Sequence, residues 1–202
     1  MDLCITISEI NWSQTKDVVS IIGTIGALII GGLGLFTWRR QLRGTSEYEI
    51  AKKAILKSYE VHQALQSVRN PMLYLSKEEV EAGRRLEEQQ RIYSERMKYL
   101  YEKWAELQTI RLETKVIWGE DAHNSFNEIH QRIVDINGAI WLHFWMKGAY
   151  AGPGATIDNS PERVIENDKL VYFSSEEDDF SQKIYESTAK VEEFFRSKVR
   201  GK

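Results

Sequence analysis

The chain has little cysteine and little proline. Its single cysteine, Cys4, excludes a disulfide within one chain and a zinc site built on several cysteines. An intermolecular disulfide stays open if the N-terminus faces an oxidising compartment. Only three prolines occur in 202 residues, and this scarcity, together with many Glu, Lys, Leu, Ile and Arg residues, favours long helices. The net charge of −3 provides no strong positive field, so the composition argues against nucleic-acid binding.

Familiar catalytic signatures are missing as well. The sequence contains no G-x-S-x-G for a nucleophilic serine, no G-x-x-x-x-G-K-[ST] phosphate loop and no G-x-G-x-x-G dinucleotide fingerprint. The glycines of "GAYAGPGA" follow no predicted strand, so they do not indicate a phosphate site. These absences favour a protein without catalytic activity and without a cofactor.

Histidine and carboxylate spacing offers one candidate metal site. Glu120 and His123 have the E-x-x-H spacing that places a carboxylate and an imidazole on one helical face, and His130 lies seven residues beyond His123. A di-iron bundle needs two such motifs and two further glutamates, and zinc would need another ligand from a different helix. We therefore predict no metal site. An enzyme with an unrecognised, metal-dependent site stays a minor alternative.

Charge is absent from a long stretch near the N-terminus. Residues 18–38, "VVSIIGTIGALIIGGLGLFTW", form 21 consecutive uncharged positions. As a helix this run would span about 31 Å, which matches the bilayer hydrocarbon core of about 30 Å. Trp12 and Trp38 flank the run, where aromatic rings favour the headgroup region. The pattern predicts a transmembrane helix.

The residues around this run distinguish an anchor from a signal peptide and give an orientation. The first 17 residues carry more acidic than basic side chains, and no Ala-x-Ala cleavage pattern follows, so we expect the span to be retained. Basic residues crowd its C-terminal side: Arg39, Arg40, Arg43, Lys52, Lys53 and Lys57. Because basic residues prefer the cytoplasmic side, the N-terminus should lie outside and the large C-terminal part in the cytoplasm.

Two functional surfaces are predicted on this segment. Gly23, Ala27 and Gly31 recur at four-residue steps, and small residues at that spacing let two helices approach closely in lipid. Glycine is also common in membrane helices without such a role. No ionisable side chain lies in the span, so an ion path would need several copies. At the C-terminal end we expect four residues to contact anionic lipid headgroups: Trp38, Arg39, Arg40 and Arg43.

The remaining chain reads as helices joined by short breaks. A first helix should begin with a cap at Thr45 or Ser46 and end at Asn70-Pro71. A very long one should run from Ser76 to about Trp118, with a possible bend at Gly83, and Gly119 should break it. Its apolar residues have heptad-like spacing: Leu86, Tyr93, Met97, Leu100, Trp104 and Leu107.

Two further helices complete the predicted core. One starts near Asp121 or Asn124 and carries the clearest apolar stripe of the sequence: Phe126, Ile129, Ile133, Ile136, Ile140 and Phe144. A loop over 147–161 and an ambiguous stretch over 162–173 follow. The last helix should be capped by Ser174 or Ser175 and continue to about Val199, with apolar residues on one side: Phe180, Ile184, Val191, Phe195 and Val199.

These elements predict an all-α protein. One N-terminal transmembrane helix should be followed by an antiparallel cytoplasmic helical bundle with one long helix, and the first helix of the bundle should either continue from the transmembrane helix or be angled off it. The predicted organisation is a short extracytoplasmic N-terminus (1–17), a transmembrane helix (18–38), a basic juxtamembrane linker (39–44) and the cytoplasmic bundle (45–202).

Polar and aromatic residues of the bundle leave two questions open. Arg69, before Asn70-Pro71, either binds a carboxylate, phosphate or lipid headgroup or simply lies at a helix end near its carbonyls. We favour the helix-end interpretation. The segment "WLHFWMKGAY", 141–150, has five aromatic rings: Trp141, His143, Phe144, Trp145 and Tyr150. Core packing is the default for the tryptophans, but not all five rings can face one core, so the surplus is a candidate partner or oligomer surface. Trp104 and Trp118 fit core packing.

One stretch resembles a known group of proteins. The run "TWRRQLRGTSEYEIAKKAIL…SVRNP", residues 37–71, is similar to uncharacterised bacterial single-span proteins with a basic linker and a helical cytoplasmic domain. The tail "FSQKIYESTAKVEEFFR", residues 180–196, is similar to their C-terminal helix. The resemblance implies a bacterial inner membrane and assigns no functional residues.

Together these patterns predict a non-catalytic, single-pass inner-membrane protein. Its cytoplasmic domain should mediate protein–protein interaction as a scaffold, sensor or regulator, with self-association assisted by the glycine face and the heptad-like residues. The main alternative is a membrane-perturbing effector or toxin that acts after oligomerisation, for example in stress or phage defence. Expected partners are the membrane, anionic lipid headgroups, and a second copy or another protein, but no nucleic acid.

Overall fold

The structure is a computed structural model that describes residues 12–150, 152, 154 and 158–199, with side chains from residue 16 onward. Its regular elements are α1 (Trp12–Val68), α2 (Lys77–Glu81), α3 (Arg85–Trp118), α4 (Glu120–Asn124), α5 (Asn127–Met146), α6 (Pro161–Val171) and α7 (Asp179–Val199). No strand occurs in this described part of the chain, and the prediction of an all-α protein is confirmed. The side chains of Cys4 and Trp12, and most of the predicted extracytoplasmic segment 1–17, lie outside the described residues.

The chain divides into two compact units, with the boundary between Ser46 and Glu47. The part from Glu47 onward is called the head below. α1 is helical without a break through Thr45 and Ser46, so the predicted helix start there is wrong. Thr45 does not cap a helix, because its Oγ1 donates to the Gln41 carbonyl one turn earlier at 3.0 Å. The physical reason is that no proline or left-handed glycine interrupts the helix over this stretch.

Four helices of the head run antiparallel to their neighbours. Residues in contact pair in opposite order along the two helices: Lys57 with Glu106 and Val68 with Arg96 for α1 and α3, Gln89 with Lys147 and Tyr101 with Asn137 for α3 and α5, and Tyr59 with Glu192 and His62 with Thr188 for α1 and α7. The head part of α1, with α3, α5 and α7, therefore forms an up-down-up-down helical bundle.

The predicted apolar stripes form the core of this bundle. All six stripe residues at α5 are buried, and on α7 four of the five predicted positions are. Transfer of each such large side chain from water stabilises the fold by about 1.5–3 kcal/mol. The heptad-like residues of α3 belong to the same core: Tyr93, Met97, Leu100 and Leu107 are buried, while Leu86 and Trp104 are partly buried and pack against the core. Their burial stabilises the head.

Two glycines end helices where the sequence suggested. Gly83 and Gly119 have φ angles of +78° and +80°, in the left-handed region that glycine adopts without steric cost. Gly83 separates α2 from α3, so the helix predicted from Ser76 to Trp118 is two helices. Gly119 ends α3 as predicted, and the short α4 precedes α5.

The start of the last helix differs from the prediction. The ambiguous stretch 162–173 contains α6, which has Pro161 at its first turn. α7 begins at Asp179, and its cap is Asp178: the Ser181 backbone N–H donates to Asp178 Oδ1 at 2.7 Å. The predicted cap at Ser174 or Ser175 is wrong because a carboxylate closer to the apolar stripe provides the stronger acceptor.

Candidate functional site

The N-terminal part of α1 exposes a continuous apolar surface. From Lys16 onward this helix contains a stretch long and apolar enough to cross a membrane, and none of that stretch is buried. Large side chains lie open along it, including Leu28, Ile30 and Phe36, which are 71%, 72% and 80% exposed. Soluble proteins rarely expose so much apolar surface without a partner or a membrane to cover it. The described residues thus contain one candidate membrane-spanning helix.

The main-chain groups of this stretch and the Thr24 hydroxyl find their hydrogen-bond partners within the helix itself. Helical hydrogen bonds occupy the main-chain groups, and Thr24 Oγ1 donates to the Ser20 carbonyl at 2.8 Å. A bilayer offers no water to polar groups, so only elements that satisfy their own backbone can cross it. The local hydrogen bonding of this segment meets that requirement.

The predicted association face is open. Because the segment is helical, Gly23, Ala27 and Gly31 lie on one side, one turn apart. All three residues are exposed, and no heavy atom lies within 4 Å of the position that a Cβ would take at Gly23 or Gly31. No atom of the described residues therefore covers this face at the two glycines, and its role in helix association stays a prediction.

The predicted lipid-contacting arginines also share a surface. A shallow recess on α1 is lined by Phe36, Arg39, Arg40, Leu42 and Arg43. The three guanidinium groups make no ion pair within the described part of the chain. Trp38 is 57% exposed in the same turn. A cationic group with an aromatic neighbour is the composition found at membrane–water interfaces.

Within the head, Arg69 is fully buried and binds groups of its own chain. Its guanidinium donates to the carbonyls of Lys169, Leu170 and Tyr172 at 2.8–3.0 Å, to Ser181 Oγ at 2.7 Å and to Asp178 Oδ1 at 3.0 Å. Arg69 follows the last residue of α1, as the favoured helix-end interpretation expected, but the carbonyls that it binds are those at the end of α6 and not those of its own helix. Its donors serve the fold, so it is not a ligand site.

Asp178 is the acidic partner of this buried arginine. Burial by itself would raise the pKa of Asp178, but the hydrogen bond from the Ser181 backbone N–H and the Arg69 guanidinium outweigh it and hold the pKa at about 2. The guanidinium carbon of Arg69 also lies 4.9 Å from the centre of the Phe180 ring. This cluster joins the end of α1 to the junction of α6 and α7.

The histidines singled out by the sequence are not assembled into a metal site. His130 stacks on Trp104 with ring centres 5.2 Å apart and planes 2° from parallel. The Lys115 ammonium lies 2.6 Å from Glu120, and His123 Nδ1 is buried without a hydrogen-bond partner in the described residues. No group of three or more metal-ligating side chains occurs in the part of the chain that the structure describes.

The aromatic cluster near the end of α5 is divided between core and surface. His143 and Phe144 are buried, whereas Trp141 and Tyr150 are 55% and 50% exposed. Trp141 stacks on Trp145 and on Tyr150, with ring centres 6.4 and 6.1 Å apart. The result is an exposed ladder of three roughly parallel rings, called the aromatic ladder below. Trp104 and Trp118 pack against the core, as expected.

Sequence reasoning missed a partly buried polar network around His143 of α5. His143 Nδ1 lies 3.2 Å from Asp168 Oδ1, and its Nε2 lies 3.3 Å from Tyr172 Oη. The partners lie 25 and 29 residues away along the chain, so no local spacing signals them. Asp168 and Tyr172 also line a cleft of about 530 Å³, together with Ile165, Leu170, Asp178 and Phe180 among others.

The fold and these surfaces define an all-α protein with an antiparallel helical head and, among the residues that the structure describes, one candidate membrane-spanning helix. Comparison with protein-family models, with curated proteins and with solved structures gives no significant match.

Proposed function

We propose that this chain is a single-pass membrane protein that acts through binding rather than catalysis. The observation that carries the proposal is the wholly exposed apolar stretch of α1, which is followed at once by Arg39, Arg40 and Arg43. In water this surface would promote aggregation, whereas a bilayer would cover it. The helical head would then be tethered to the membrane surface.

The same residues support an orientation. Arginines concentrate on the C-terminal side of the apolar stretch, so the head would lie in the cytoplasm and the N-terminus outside. Each cation near an anionic leaflet contributes about 1 kcal/mol of attraction. The resemblance of residues 37–71 to bacterial single-span proteins supports the inner membrane of a bacterium as the location.

The interaction role rests on two exposed surfaces, one on the head and one on the apolar stretch of α1. The aromatic ladder leaves two large rings half exposed, and aromatic residues are enriched at protein–protein interfaces. The open glycine face offers a second contact, within the bilayer. We therefore propose a scaffold, sensor or regulator that binds a partner protein or a second copy.

The single cysteine allows a direct test of topology. In intact cells a membrane-impermeant maleimide should label Cys4 in the wild-type chain. In a Cys4→Ser background, a cysteine placed at the exposed Lys183 should react only after lysis. Labelling of the Lys183→Cys variant in intact cells would contradict the orientation. Recovery of the chain in the soluble fraction after lysis without detergent would contradict membrane insertion altogether.

The interaction role needs a separate experiment. Wild type and a Trp141→Ser/Tyr150→Ser variant should be compared in mild detergent by mass photometry and by quantitative co-purification. We expect the double variant to lose bound partner or dimer while the control Tyr185→Ser, at a position that is 57% exposed on α7, retains it. Equal assembly in all three proteins would exclude the aromatic ladder as the contact.

A second candidate function is favoured by the open glycine face. Close packing of several spans through Gly23, Ala27 and Gly31 could perturb the bilayer, as in a stress- or phage-triggered effector. A membrane-potential dye should then report depolarisation on overexpression of wild type but not of Gly23→Ile/Gly31→Ile. Unchanged growth and potential for wild type would eliminate constitutive activity of this kind.

A further inference from the structure

A second buried arginine of the head has no acidic partner among the described residues. Arg111 lies on α3 and is 8% exposed, and its guanidinium faces the junction between α4 and α5. No carboxylate in the described part of the chain forms an ion pair with it. Arg69 shows how this head balances a buried guanidinium, because the Asp178 carboxylate lies 3.0 Å from it. Arg111 is therefore a buried charge that the head itself does not offset.

The protein contacts of Arg111 occupy one edge of its guanidinium. Nε donates to the His123 carbonyl on α4 at 3.0 Å, and Nη2 donates to Asn127 Oδ1 at the start of α5 at 2.6 Å. Both acceptors are neutral. Nη1 has no hydrogen-bond partner in the described residues, and it is not fully enclosed by them. The opposite edge, formed by Nη1 and the second hydrogen of Nη2, is thus held in a fixed orientation with two donors to offer.

Other charges at this junction do not offset the guanidinium. Glu120 pairs with Lys115 at 2.6 Å, and Glu128 pairs with Lys190 at 2.5 Å. The N-terminus of the 20-residue helix α5 adds a positive partial charge rather than a negative one. Burial lowers the pKa of Arg111, and no acidic side chain counters that shift. The local charge balance therefore favours a negatively charged ligand.

A neighbouring imidazole is also short of a partner. His123 Nδ1 is enclosed and makes no hydrogen bond in the described residues. Burial, followed by the charges of Arg111 and Lys115, lowers the pKa of His123, so its ring is neutral near pH 7. Water can satisfy the hydrogens of Nη1, but it brings no charge, and a buried charge is costly until an opposite charge lies beside it.

We propose that Arg111 forms a binding site for a small oxyanion, of the carboxylate or phosphate class, at the junction of α3, α4 and α5. Two oxygens of the ligand accept the Nη1 and Nη2 hydrogens in the paired geometry that arginine forms with such groups. The contacts to His123 and Asn127 orient the donors before the ligand arrives, which lowers the entropic cost of binding. The site uses neither the apolar stretch of α1 nor the aromatic ladder, so its failure would leave the proposed function intact.

Titration of the full-length protein in detergent tests the site directly. Sodium phosphate or sodium acetate should replace sodium chloride at constant ionic strength, while nitrogen-15 NMR follows the arginine side chains. We expect a saturable shift of the Arg111 Nε–H signal with at least one of the two oxyanions. At ten times the dissociation constant, that anion should also raise Tm by about 3–5 °C. An Arg111 signal that moves no more with either oxyanion than with chloride would overturn the proposal.

Two matched variants separate the site from general electrostatics. Asn127→Asp adds a carboxylate where the Nη2 acceptor already lies, so this built-in counter-ion should weaken oxyanion binding by about tenfold or more. The control Asn124→Asp adds the same charge at an exposed residue that makes no hydrogen bond to Arg111, and its affinity should change by less than about threefold.

Arg111→Gln removes the charge and should abolish the saturable rise in Tm. If that variant does not fold, Asn127→Asp decides the question, because it keeps every residue of the buried contact in place. Unchanged oxyanion affinity in Asn127→Asp would refute the site, and so would an equal loss of affinity in Asn124→Asp.

Discussion

Replacement of Arg69 by methionine should destabilise the head more than any surface substitution. The side chain is fully buried, and it serves at once the end of α6, the cap of α7 and the Asp178 carboxylate. Methionine fills much of the same volume and keeps contact with Phe180, but it donates no hydrogen bond. The experiment thus removes the charge and the donors while it limits the cavity.

The size of this destabilisation follows from the Asp178 carboxylate, which stays partly desolvated after Arg69 is removed. Removal of one partner of a buried ion pair costs about 3–5 kcal/mol, because the other charge stays desolvated. Asp178 is 14% exposed and keeps its bond from the Ser181 N–H, which places the loss toward the middle of that range. We expect about 4 kcal/mol, which corresponds to a decrease of about 12 °C in Tm for a domain of this size.

Thermal and urea unfolding in a mild detergent, followed by circular dichroism, would measure this loss. The matched control is Arg163→Met, since Arg163 pairs with Asp158 at 2.8 Å on the surface and both side chains are exposed. Such pairs contribute about 0–1 kcal/mol. A double-mutant cycle with Asp178→Asn should give a coupling energy above about 1 kcal/mol. A loss for Arg69→Met no greater than that of Arg163→Met, or strict additivity with Asp178→Asn, would refute the reasoning.

Three further predictions concern the head. Gly119→Ala should lower the free energy of unfolding by about 1–2 kcal/mol because φ is +80° at this position. Gly138→Ala, in the middle of α5 with open space around it, should raise the free energy of unfolding by about 0.5–1 kcal/mol. Equal effects of the two substitutions in urea unfolding would contradict this prediction. Ile136→Ala, at a fully buried position, should cost about 3 kcal/mol, and Val134→Ala, at a half-exposed position on the same helix, less than about 0.5 kcal/mol. The pKa of Asp178 in the folded head is about 2, below its usual value of 3.8, so the carboxylate stabilises the head above pH 4 and this stabilisation is lost as the pH falls toward 2. The loss of about 2 kcal/mol should be absent in Asp178→Asn, and an identical acid profile in both proteins would exclude the effect.

Helix identity in this chain follows mainly from local pattern. The apolar stripe at α5 repeats every three or four residues without interruption, and each of its six residues is buried in the structure. Gly119 ends α3 because the left-handed conformation is a property of the residue itself. Two predicted helix starts, at Thr45 or Ser46 and at Ser174 or Ser175, were wrong. Thr45 lies inside the continuous helix α1, where its hydroxyl donates to a carbonyl of the preceding turn. Asp178 caps α7 in place of either serine.

The roles of the polar residues depended on contacts between distant segments. Arg69 reads from the sequence as a residue near a helix end, yet its partners lie 100–112 residues further along the chain. His143 gives no signal either, since Asp168 and Tyr172 reach it only when α6 folds back on α5. By itself the sequence determined the all-α class, the apolar N-terminal stretch and the core faces, because burial follows periodicity and periodicity is local. Only the tertiary structure decided which buried polar groups meet, because a hydrogen bond needs two partners within about 3 Å and the chain order does not specify that proximity.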